Sequence, residues 1–122
     1  MKPNSPDSRY LCSHLITVAF CENGQRKRVV PANLEEISEQ TAVVLSDHRI
    51  RRGVRIDIDC KPHRLQGVVI SSVYRHPLGF FSEVRLDPFS RWSERWFTPE
   101  HLFALWQTCG SSDGKYAPRG AA

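Results

Sequence analysis

Apolar residues in this chain fall in short runs that alternate with polar ones every second position, the spacing of β-strands with one buried face. The clearest run is Val54 to Cys60, where Val54, Ile56, Ile58 and Cys60 share one face and Arg55, Asp57 and Asp59 the other. Five further strand signals accompany it: Leu15 to Cys21, a second beginning at Arg26 that runs through Val29 and Val30 and contains Pro31, Ala42 to Leu45, Leu65 to Tyr74 and Phe80 to Leu86. The turns between them are equally legible. Asn23-Gly24 supplies the positive φ pair of a type I′ hairpin, so the first two strands are expected to pair. Lys61-Pro62-His63 and His76-Pro77-Leu78-Gly79 punctuate the last three into a meander. Pro31 lacks an N–H and predicts a strand edge or a bulge at its position. Thr98-Pro99-Glu100 carries a hydroxyl N-cap, proline at the first helical position and an early carboxylate, which predicts a short helix through Trp106. Leu102, Phe103, Leu105 and Trp106 would bury one side of it. Short strands at even spacing predict a six-stranded antiparallel β-barrel with a C-terminal α-helix, an all-β fold.

Length and composition set the scale. A chain of 122 residues with 40% hydrophobic content fits one ordinary core. Residues 1–8 and 108–122 are rich in Pro, Ser and Gly and lack periodicity, so a domain over residues 9–107 with two flexible tails is expected. A net charge of +4 is a mild basic bias, short of a dedicated DNA binder's field. The four cysteines, Cys12, Cys21, Cys60 and Cys109, are scattered, and three sit in or beside apolar runs where a reduced thiol packs as a small hydrophobe. That usage suits the cytoplasm. No run is apolar and long enough to span a bilayer, and the N-terminal residues make a poor secretory signal.

Candidate chemistry concentrates at the polar corner Glu36-Ile37-Ser38-Glu39-Gln40-Thr41, between the second and third strands, with Arg9 upstream. This arrangement resembles the ligand corner of a PilZ domain, the bacterial cyclic di-GMP receptor module, and the likeness in element order extends from about Arg9 to Trp106. That family uses an Arg-x-x-x-Arg segment before the barrel and an Asp/Asn-x-Ser-x-x-Gly turn between strands two and three. Its guanidinium groups clamp phosphates and stack on guanines, while the turn offers an acid or amide, a hydroxyl and open backbone. The resemblance therefore implies ligand contacts from Arg9, Glu36 and Ser38. Three positions depart from the pattern: Ser13 replaces the second arginine, Glu36 the shorter acid or amide, and Thr41 the glycine. A hydrogen bond to a charged group contributes about 1.5 to 3 kcal/mol. One lost arginine thus weakens a micromolar site by roughly ten- to a hundredfold. The expectation is a PilZ-like signalling module in which cyclic di-GMP binding is weakened or lost and the barrel serves as a protein-interaction adaptor.

Other residues carry chemistry of different kinds. Arg51-Arg52-Gly53-Val54-Arg55 spells Arg-x-x-x-Arg, but after the turn. Cys12, His14, Cys60 and His63 are zinc-type ligands, yet the spacing is poor and Cys60 belongs to an inward face, so no metal is expected. No cofactor is implied, and no phosphate loop, nucleophile elbow or metal helix points to an enzyme. A small basic barrel binding single-stranded nucleic acid is the alternative, with Arg26, Lys27, Arg28, Arg49, Arg51, Arg52, Arg64 and Arg75 as charge and Phe80, Phe81, Trp92 and Trp96 as stacking groups. It is less favoured, because those aromatics serve equally as core. The aromatic segment Asp87 to Phe97 is read either as an interface or as a lid over the barrel end.

Overall fold

A computed structural model describes residues 9–104, and the expected tails and the end of the expected helix lie outside them. Six strands form the body: β1 (Tyr10–Phe20), β2 (Arg28–Ile37), β3 (Thr41–Ser46), β4 (Arg55–Asp59), β5 (Arg64–Arg75) and β6 (Gly79–Leu86). Neighbours run in the order β2-β3-β6-β5-β4-β1, all antiparallel, and β1 pairs back onto β2, so the sheet closes into a barrel. The hairpins expected between β1 and β2 and along β4-β5-β6 are present. At the first, Asn23 and Gly24 adopt φ of 53° and 71° and the Gln25 N–H donates to the Glu22 carbonyl at 2.9 Å, as a type I′ turn requires.

Alternation places the inward residues of every strand in one core. Val18, Leu34, Ile37, Val44, Ile56, Ile58, Leu65, Val69 and Val84 are all essentially inaccessible, and Ile50 from the β3–β4 connection plugs one end. At that scale, each large aliphatic side chain removed from water contributes about 1.5 to 3 kcal/mol. Two bulges break the alternation. Leu34 and Ile37 both face inward with Glu35 and Glu36 between them, and the register shifts there on both flanks of β2. An unbroken strand would have driven one of those carboxylates into the core. The second shift lies in β5 between Val69 and Ser71.

The expected C-terminal helix is not formed among the described residues. After a 3-10 turn at Pro88–Ser90, the chain crosses the barrel end in turns and forms a two-residue strand, β7 (Phe103–Ala104), against Tyr10 and Leu11. The reason lies in β1. It pairs with β4 only from Thr17 onward, so its first half has unpaired backbone groups on that side. β7 satisfies two positions of this edge, and the Ser13 N–H donates to the Glu100 carbonyl at 3.1 Å. That gain outweighs a helix of barely two turns, which is marginal by itself. No helix among the described residues is long and apolar enough to cross a membrane.

Candidate functional site

The corner lies where β2 ends and β3 begins, beside the N-terminus of β1 and the C-terminus of β6. Glu36 pairs with Val43, which pairs with Glu83, so the two carboxylates flank Val43 on the outer surface. Arg9 spans them: its guanidinium lies 3.1 Å from the Glu36 carboxylate and 3.9 Å from that of Glu83. Arg9 and Glu36, expected together, are thus brought together, but as an ion pair. One cation is shared between two acids.

Ser38 is buried, and its hydrogen bonds close the turn on itself. Its N–H donates to the Thr41 carbonyl at 2.8 Å, its hydroxyl oxygen accepts the Thr41 N–H at 3.0 Å, and the two hydroxyls lie 2.8 Å apart. Thr41 is the first residue of β3. Among the described residues only Asn23 and His101 are non-glycine residues with positive φ, so Thr41 is free of the strain it would suffer in a glycine's place. Two further carbonyls of the turn are occupied: Glu39 accepts the Trp92 N–H at 3.1 Å and Gln40 the Leu86 N–H at 2.8 Å.

The segment after β6 seals this end of the barrel. Trp92 is buried, donates its indole N–H to the Phe97 carbonyl at 2.7 Å and meets Tyr10 edge-on at 5.4 Å. For Trp92 the lid reading therefore holds. Trp96 is partly exposed and stacks on His63 at 4.6 Å, while Phe89 stands out from the surface.

Several sequence candidates do not join the corner. Ser13, expected at the second arginine position of the PilZ pattern, accepts a hydrogen bond from the Asn33 amide at 3.3 Å. Arg51 belongs to the opposite end, where its N–H donates to Glu22 at 3.0 Å, and Arg55 is paired with Asp87. Cys12 and Cys60 face the core. Burial pushes both thiols up to about 12, with Glu35 adding to the effect at Cys12 and Asp59 at Cys60. His14 and His63 instead pack against Phe97 beneath the lid. Among the described residues no group of three or more His, Cys, Asp or Glu side chains converges on a metal position. Sequence reasoning missed Glu83, the second acid on Arg9. Its partner across the sheet follows from the β3–β6 register, which no local pattern reveals.

The chain matches no protein-family model, no curated protein and no solved structure.

Proposed function

We propose that this protein is a PilZ-like, non-catalytic signalling module whose nucleotide corner has become internally satisfied, and that it acts through protein contacts as an adaptor. The observation that carries the reading is the ion pair of Arg9 with Glu36, next to a turn whose serine bonds to its own threonine. The closed barrel and an N-terminal arm lying against the second inter-strand turn are the framework that a cyclic di-GMP receptor of this kind needs. Within that framework the attraction has been reversed. A dianionic dinucleotide would have to displace Arg9 from two carboxylates and then sit beside them, with Glu39 adjacent. Like charge at such distances opposes binding rather than assisting it.

Calorimetric titration tests both halves of the reading. The natural chain is expected to give no binding of cyclic di-GMP tighter than about 100 micromolar. Restoring the pattern with Ser13→Arg, Glu36→Asp and Thr41→Gly together is expected to bring affinity to about 10 micromolar, since each recovered charged contact is worth about tenfold or more. Micromolar binding by the natural chain, lost on Ser38→Ala, would overturn the satisfied corner. A folded triple variant that still ignores the nucleotide would overturn the kinship with this receptor class.

A further inference from the structure

Charge is sorted along the barrel. The β1–β2, β3–β4 and β5–β6 connections all emerge at the end opposite the corner. These connections and the strand ends beside them carry Arg26, Lys27, Arg28, Arg49, Arg51, Arg52 and Arg75 against only Glu22 and Asp47, apart from Arg55, which is paired with Asp87. Seven cations facing two acids is a local excess larger than the whole chain's +4. All seven are exposed, and among the described residues none of them forms an ion pair. Cations clustered on three loops repel one another, an arrangement that raises the potential toward an anionic partner.

The same end holds an open sheet edge. Three strands outrun their neighbours. The surplus of β1 is covered by β7, and the surplus of β2 carries Pro31, a residue that blunts an edge. The surplus of β5 has neither protection. Its pairing with β4 ends at Val68, and Val69 closes the junction with hydrogen bonds to Gly53 and Val54. From Ser71 to Arg75 the β4-facing side of β5 pairs with no strand among the described residues.

We propose that this basic end is a docking surface for an extended acidic segment of a protein partner, which adds as a strand to the open edge of β5 between Ser71 and Arg75. Backbone hydrogen bonds along the edge would supply affinity and the surrounding cations would select acidic side chains. The apolar groups here favour a peptide over a nucleic acid. Val29, Val73 and Leu78 are 62%, 50% and 59% exposed and have no π face on which a base could stack. Among the described residues at this end, the exposed aromatic Tyr74 already packs on Phe80 at 5.0 Å, and Phe81 lies under Arg75. The chain's own terminal stretches are poor occupants, since residues 105–122 contain Asp113 against Lys115 and Arg119. The inference deepens the adaptor reading by naming its partner class. It is independent of the corner, so cyclic di-GMP binding would overturn that reading and leave this one standing.

Fluorescence anisotropy with the full chain tests it. The probe is a labelled peptide of about ten residues alternating glutamate and valine, long enough to cover the edge at about 3.3 Å per residue. Binding in the micromolar range is expected, weakening as salt is raised. Arg49→Glu combined with Arg52→Glu, and separately Arg75→Glu, should weaken it by about tenfold or more, whereas Arg91→Glu at the other end should not. A peptide N-methylated at alternate backbone positions should lose binding while keeping its charge. Absence of binding, indifference to the charge reversals, or equal binding of the N-methylated peptide would each overturn the proposal. So would displacement of the peptide by an oligothymidylate single strand that binds more tightly, which would assign the surface to nucleic acid.

Discussion

Gly67 shows how little room the barrel wall leaves. A Cβ at this position would collide with the Arg85 carbonyl on β6 and come within 2.8 Å of Val84 Cγ1, so β5 and β6 can approach this closely only because the side chain is absent. Gly67→Ala is expected to destabilise the fold by about 1 to 3 kcal/mol, measured as a lowered urea midpoint with an unchanged m-value. Single residues also mark the limits of legibility. Ser38 and Glu36 stood out in the sequence because of their place at a turn, and both lie at the corner. What they do there depends on Arg9, Glu83 and Thr41, and of these Glu83 comes from a strand more than forty positions away. The bulge at Glu35-Glu36 went unread, although strict alternation from Leu34 to Ile37 would have buried an acid; the sequence pointed to Pro31 instead.

At the scale of elements, strand existence and turn chemistry were written in alternation and in Asn-Gly and proline punctuation. All six barrel strands are present; β3 to β6 lie within one residue of the expected bounds, whereas β1 begins five residues early at Tyr10 and β2 runs on to Ile37. Among the described residues the expected C-terminal helix is absent for a tertiary reason: local start signals at Thr98 to Glu100 competed with unpaired backbone on β1 and lost. The length of β1 was the missing datum. Its polar first half, Tyr10 to His14, carried too weak a pattern to be read as strand, yet it creates the edge that β7 covers. Trp92 is a buried anchor of the lid. Trp92→Ala should cost about 3 to 5 kcal/mol by denaturant titration, through a cavity against Tyr10 and the loss of the indole hydrogen bond. Trp96→Ala removes a partly exposed ring and should cost about 1 kcal/mol or less.

For the molecule as a whole, the buried thiols link stability to pH. Cys12 and Cys60 titrate near 12 when folded but near the ordinary value of 9.0 when exposed by unfolding. Above the unfolded value the unfolded chain sheds thiol protons that the native state keeps, so ν in the unfolded state falls below that of the native state and stability declines as pH rises. Below about pH 9 the effect vanishes. Thermal unfolding followed from pH 8 to pH 11 under reducing conditions should show a progressive fall in midpoint that is reduced in a Cys12→Ala, Cys60→Ala variant. At neutral pH exposed Cys21 should react with a thiol reagent long before either buried cysteine.

Closure through β1 has a consequence for how the chain is made. β1 leaves the ribosome ahead of every strand it binds, and its partners follow at very different delays: β2 almost at once, β4 some forty positions later, β7 only with Ala104. The opening hairpin must therefore wait with one flank bare: the later half until β4 is made, the first half until synthesis has passed the meander. Of the described strands, the first to appear is the last to be completed.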